Sequence, residues 1–133
     1  MAFDFDETRD PILIVRAEHV HTDEEYRAYL DRCTEYTKRA EPYVLVFDLR
    51  KAGLPVPSHV PMQVAWMREH GGNQTGTTLG TAFVVSSAFI RFGLSAVFAA
   101  QPARVALHVD SELDSAIRWA EARVQSRANA VAS

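Results

Sequence analysis

The chain has 133 residues, 47% hydrophobic and 23% charged, with one cysteine and a formal net charge of -3. That length suits one domain burying its own core without disulfides or metal, and the small negative charge gives no electrostatic footprint for nucleic acid or an anionic membrane. Cys33 cannot close an internal disulfide and the N-terminus lacks the basic-then-apolar layout of a secretory signal, so a cytoplasmic setting is expected. The most membrane-like run, FGLSAVFAAQPA after Arg91, falls well short of the ~20 apolar residues of a spanning helix, so no transmembrane segment is expected.

In chain order, FDFDETRDPILIVRAEHV first alternates Phe3 and Phe5 with acids, turns at Asp10 and Pro11, and is then continuously apolar from Ile12 to Val15. This predicts two strands in a hairpin. HTDEEYRAYLDRCTEYTKRAEP reads as a helix: Thr22 and Glu25 have capping-box spacing, Asp23 and Glu24 suit the positive end, and Pro42 stops it. Tyr26, Tyr29, Leu30, Cys33 and Tyr36 recur at helical spacing and predict its packed face. YVLVFDL is apolar on both alternating faces, the pattern of a central parallel strand.

SHVPMQVAWMREHGG predicts a second helix with Ser58 as N-cap, Pro61 in the first turn, and Gly71 and Gly72 as its stop. TAFVVSS is a short buried strand, AFIRFGLSAVFAA a helix ended by Pro102, and RVALHV a further strand. DSELDSAIRWAEARV closes the series as a helix whose Leu113, Ala116, Ile117, Ala120 and Val124 form one stripe. SRANAVAS shows no periodicity, so residues 1–126 are expected as the single domain and 127–133 as a frayed tail.

The order β-β-α-β-α-β-α-β-α predicts a layered α/β domain: a mixed, mainly parallel sheet of four to five strands, an N-terminal hairpin and about four flanking helices. The stretches LIVRAEHVHTDEEYRAYLDR, VLVFDLR, AFVVSSAFIRFGLSAVFA and SAIRWAEARV, in that order and spacing, resemble the SpoIIAA-like family of STAS-related domains. The resemblance covers nearly the whole chain. It implies a mixed sheet flanked by helices and a part in protein–protein signalling or small-ligand sensing rather than turnover. In phosphorylated relatives, an aspartate at the strand end is followed almost at once by Ser or Thr at the mouth of the next helix. Here LRKAGLPVP intervenes between Asp48 and Ser58, so the resemblance carries over Asp48 as a position and not as a switch.

In an open α/β sheet, ligands sit outside the carboxyl ends of the strands, beside helix N-termini. Asp48, Arg50, Ser58, Ser86, Ser87 and Asp110 are the residues expected at that rim, where a small anion could bind. The alternative makes the serines and Asp110 ordinary helix caps, with Asp48 in an ion pair to Arg50, Lys51 or Arg91. His19 and His21, with Asp23 and Glu24, have ligand spacing, but no second Cys or His motif supports them, and His59, His70 and His108 are isolated in the sequence. No metal or cofactor is therefore expected.

A small hydrolase is a third functional alternative: Ser86 or Ser87 with His108 is the one assembly available for it, and the G-x-S-x-G elbow is absent. GGNQTGTTLG lacks the Lys-Ser or Lys-Thr of a phosphate loop and precedes a strand. Cys33, within an apolar stripe, reads as a small buried hydrophobe. No catalytic residue is assigned.

The oddest segment is AFIRFGLSAVFAA. Ile90, Leu94 and Val97 make one apolar face, Phe89, Phe92, Ala96 and Ala100 another, and Arg91 is its one charge. A helix on the outside of a sheet needs one apolar stripe, so the second face calls for a neighbouring helix, a partner subunit or an apolar ligand. The leading expectation is a homodimer through this segment in a module acting on another, unidentified protein. The alternative is a carrier of a small apolar or lipid-like ligand lined by Phe89, Phe92, Phe98, Met62 and Trp66.

Overall fold

In the computed structural model, which describes residues 3–19, 22–52, 56–70, 78–88, 91 and 106–132, the chain opens with strands β1 (Phe3–Arg9) and β2 (Ile12–Glu18). Helix α1 (Asp23–Thr37), strand β3 (Tyr43–Lys51), helix α2 (His59–His70), strand β4 (Thr78–Val84), strand β5 (Leu107–Asp110) and helix α3 (Leu113–Ala132) follow. The five strands form one sheet in the order β1-β2-β3-β4-β5, with β1 antiparallel to β2 and every later pair parallel. The expected hairpin and central β3 are both present.

Each parallel strand adds on the same side of its predecessor, so right-handed crossovers deliver α1 and α2 to one face. There Leu13, Val15, Ala17, Tyr43, Leu45 and Phe47 meet Tyr29, Leu30, Cys33 and Tyr36 of α1. The opposite face presents Ile12, Ile14, Val44, Val46, Ala82 and Val84 to Ala116, Ile117 and Ala120 of α3. Alternate residues of β2 and β3 thus enter different cores, which is why both strands read as unbroken apolar runs. Full burial of side chains such as Leu13 and Val46 contributes about 1.5–3 kcal/mol each.

Local chemistry fixes the helix ends. Thr22 Oγ1 accepts the Glu25 N–H at 3.1 Å while the Glu25 carboxylate accepts the Thr22 N–H at 3.0 Å, the reciprocal bonds that the spacing predicts. In the turn leading into α3, Asp110 accepts the N–H groups of Ser111 at 2.7 Å and Glu112 at 3.2 Å. On β4, a Cβ at Gly80 would lie 2.6 Å from the Trp119 ring, so the missing side chain is what lets that indole lie against the sheet.

Three expectations need correction or restriction. α3 does not stop at residue 126 but continues to Ala132, because Arg127, Ala128, Ala130 and Ala132 favour a helix already nucleated. β4 begins at Thr78, so the end of GGNQTGTTLG is strand, paired through Gly80 with Val44. Of the apolar segment, Ala88 and Arg91 are helical, and the Arg91 N–H donates to the Ser87 carbonyl at 3.0 Å. Its other residues lie outside the described ones, so three helices are described where about four were expected.

Candidate functional site

The parallel register brings the carboxyl ends of β2 to β5 to one rim, with Arg16 opposite Asp48, Asp48 opposite Val84, and Val84 opposite Asp110. A cleft of about 120 Å³ opens there, lined by Arg16, Ala17, Glu18, Asp48, Arg50 and Lys51. Asp48 is buried within it. Its carboxylate accepts from Arg50 Nε and Nη2, each at 2.8 Å, and from the Arg50 N–H at 3.2 Å. Burial works to raise the Asp48 pKa, but the Arg50 bonds and the Arg50 and Arg16 charges outweigh it and hold the carboxyl below its ordinary value.

The other charges of the cleft are also matched. Arg16 lies 3.3 Å from Asp6 and 3.6 Å from Asp4, and Lys51 lies 3.6 Å from Glu18. Asp6, bonded by Thr8 side chain and backbone and then by Arg16, is lowered to about 2. The rim is therefore a ladder of compensated pairs crossing β1, β2 and β3.

The sequence-predicted rim residues do not converge on that cleft. Asp48 and Arg50 line it. Ser58 is elsewhere: its hydroxyl donates to Asp23 Oδ1 at 2.9 Å. The expected cap on α2 finds no N3 donor because that position is Pro61, which has no N–H, and the Val60 N–H donates to the Pro57 carbonyl at 3.3 Å. Asp110 holds the turn before α3 and bonds His108 Nε2 at 3.0 Å. Burial tends to raise the Asp110 pKa, but bonds from Ser115, His108 and the Glu112 and Ser111 N–H groups bring it down to about 2.

Ser86 and Ser87 follow the end of β4, exposed and half-buried respectively. His108 pairs with Ala82 in register and stacks its ring on Trp119, centroids 5.1 Å apart, which turns it under α3 and towards Asp110. The backbone N–H of His19 donates to the Lys51 carbonyl at 3.1 Å, with His19 at φ 45, while His21 lies outside the described residues. Among the described residues no three His, Cys, Asp or Glu side chains gather as a metal-ligand group. Burial pushes the Cys33 thiol up to about 12, the environment of an unreactive structural cysteine.

Met62 and Trp66 sit half-buried on α2 against the aromatic core, and Trp66 Nε1 donates to Thr34 Oγ1 at 2.9 Å. Phe89, Phe92, Ala96 and Phe98 lie outside the described residues. What sequence reasoning missed is the junction of the α1 and α2 N-termini. There His59, 5% exposed, stacks on Tyr26 at 4.5 Å and brings Nε2 to 3.2 Å from Asp23 Oδ1. Read along the chain, His59 has no partner nearby; only the packing of α2 on α1 supplies one.

The chain matches no protein-family profile and no curated protein. Among solved structures it resembles the crystal structure of an uncharacterized DUF3478-family protein from Shewanella loihica PV-4, described as having a SpoIIAA-like fold. The two superpose with a TM-score of 0.68 over 90% of this chain and 92% of that one, at 12% sequence identity. The fold is SpoIIAA-like. At that identity the likeness concerns the SpoIIAA-like architecture alone, and the side-chain arrangement at the rim has to be read from this chain's own residues. No helix among the described residues of this SpoIIAA-like domain is long and apolar enough to cross a membrane.

Proposed function

We propose that the chain is a non-enzymatic module of SpoIIAA-like type that acts in the cytoplasm through protein contact, as a homodimer. The observation that carries the non-enzymatic part is the Asp48–Arg50 clamp. The carboxylate at the end of the central strand, the natural place for chemistry in an open α/β sheet, is committed to two side-chain bonds at 2.8 Å. The Cys33 thiol is buried, and Asp110 and His108 are bonded to each other and to the turn before α3. Support for the dimer comes from the sequence of AFIRFGLSAVFAA, whose second apolar face of Phe89, Phe92 and Ala96 needs a cover, and a twofold contact covers such a patch with itself.

Light scattering at low micromolar concentration tests the dimer. The unmodified chain is expected at twice the monomer mass, and Phe92→Glu at monomer mass with an unchanged circular dichroism spectrum, since an unpaired carboxylate cannot be buried cheaply. A clean monomer for the unmodified chain overturns the dimer.

The half-buried Met62 and Trp66, packed against the aromatic core, favour a second reading: a carrier of a small apolar or lipid-like ligand. Native mass spectrometry of the purified chain separates the readings. A monomer holding an apolar molecule supports the carrier, and an empty dimer supports the contact module.

A further inference from the structure

The cleft at the carboxyl ends of β2 and β3 balances its charges without using up its hydrogen-bond donors. A guanidinium carries five N–H groups, and Arg50 gives the Asp48 carboxylate only one each from Nε and Nη2. Its Nη1 has no acceptor among the described residues. Arg16 is engaged through Nη1 alone, at 3.3 Å from Asp6 and 3.6 Å from Asp4. Lys51 Nζ stands 3.6 Å from Glu18, outside hydrogen-bond distance. All three cations line the opening, and the Arg16 and Arg50 side chains keep 36% and 40% of their surface exposed, so a ligand can reach the remaining donors.

We propose that this cleft binds a small oxyanion, a carboxylate or phosphate group, between Arg16, Arg50 and Lys51. Its volume of about 120 Å³ is below the about 300 Å³ at which pockets for drug-sized ligands begin, which suits one such group. Planar guanidinium forks match the oxygen spacing of both anions. Asp48, 8% exposed, holds the Arg50 fork in place before a ligand arrives, so little side-chain freedom is lost on binding. Ligands of open α/β sheets collect at these strand ends. Among the lining residues, three cations stand against the two carboxylates of Glu18 and Asp48. Asp4 and Asp6 beside Arg16, and Asp114 near Arg50, add opposing charge from outside the lining. Binding is therefore of modest affinity and weakens with salt. It is independent of whether the chain dimerises.

The full chain is titrated with sodium phosphate and, separately, with sodium acetate at fixed low ionic strength balanced with sodium chloride, and the arginine Nε–H signals are followed by ¹⁵N NMR. One saturable event that moves the Arg16 and Arg50 signals is expected. Saturation by phosphate alone assigns a phosphate ligand, and saturation by acetate assigns a carboxylate. Arg16→Gln should weaken binding about tenfold, the loss of a charge-assisted hydrogen bond. Lys51→Gln, at a side chain 76% exposed, keeps the folded circular dichroism spectrum and should weaken binding a few-fold. Arg118→Gln, exposed on α3 and outside the cleft, should leave it unchanged. Arginine signals that move no further with phosphate or acetate than with chloride, binding that survives both Arg16→Gln and Lys51→Gln, or an equal loss in Arg118→Gln would each overturn the proposal and leave the ion pairs as the cleft's whole content.

Discussion

The face beneath α1 and α2 is layered with rings, whereas the face beneath α3 is filled chiefly by aliphatic and very small side chains, with the Trp119–His108 stack as its one ring contact among the described residues. On the first, Phe3 stacks on Tyr29 at 4.4 Å and Phe47 on Phe83 at 5.2 Å. Polar tips find partners there: Tyr36 donates to Glu7 at 3.0 Å, Thr78 donates to Tyr43 at 3.0 Å, and Trp66 donates to Thr34. On the second, Ala82, Ala116 and Ala120 have no exposed surface and let α3 approach closely. Large rings tolerate polar neighbours because their edges carry them, while a close-packed aliphatic seam tolerates little added volume. One face should therefore be most sensitive to losing atoms and the other to gaining them.

The largest effect expected is on the ringed face. Phe47→Ala removes the ring shared by Tyr29 and Phe83, and chemical denaturation should show a loss of about 3–5 kcal/mol. On the opposite face, Gly80→Ala adds one carbon at 2.6 Å from Trp119 and 3.2 Å from the Ala106 carbonyl. Overpacking of that kind costs about 1–3 kcal/mol, and a crystal structure or the near-ultraviolet spectrum should show Trp119 displaced from His108. If Gly80→Ala is neutral, the aliphatic seam is looser than the contrast requires.

Smaller effects separate the two helix starts on the ringed face. Thr22→Ala breaks a complete capping box and should lower the midpoint of unfolding by the equivalent of about 1 kcal/mol. Ser58→Ala removes an exposed bond to Asp23 and no cap, so a change within about 0.5 kcal/mol is expected. Equal losses would mean that Ser58 caps α2 after all.

The smallest effect is confined to acid and belongs to the α3 face. Asp110 is lowered to about 2 in the folded chain, against an ordinary value of about 3.9. Its contribution is therefore fully present above the ordinary carboxylate range and is lost as pH falls through that range towards 2. Asp110→Asn should give a flatter acid limb in a series of denaturation curves, and an unchanged slope would remove Asp110 from the account.

How far the chain announces this arrangement depends on the range of the interaction. The unbroken run Tyr43 to Phe47 declared a strand covered on both sides, and Leu113, Ala116, Ile117, Ala120 and Val124 declared the inward stripe of α3, because burial imposes a period on neighbouring residues. Thr22 and Glu25 are three apart and their mutual cap is equally visible. Asp23 and Ser58 are separated by 35 positions, and no local period connects them, so Ser58 read as a cap and His59 as solitary. The pairing of Asp48 with Arg50 was one of two readings because alternate residues of a strand share a face, and only the fold decides whether the arginine turns back to its neighbour or outward to a ligand. The extension of α3 past residue 126 was hidden for the opposite reason: helical propensity holds those turns without an apolar stripe to mark them.

β1 also has a protective consequence. It forms one border of the sheet, and Asp4, Asp6 and Glu7, with a register irregularity between Asp6 and Arg9, make that border charged and uneven. Such borders do not readily recruit a strand from another molecule. Immediately behind it lies β2, whose Ile12, Leu13, Ile14 and Val15 are four consecutive buried apolar residues, the composition of a segment prone to cross-β stacking when bared. The hairpin places the shielding strand next to the hazardous one in the chain, so β1 covers one edge of β2 through a local pairing, and β3 covers the other.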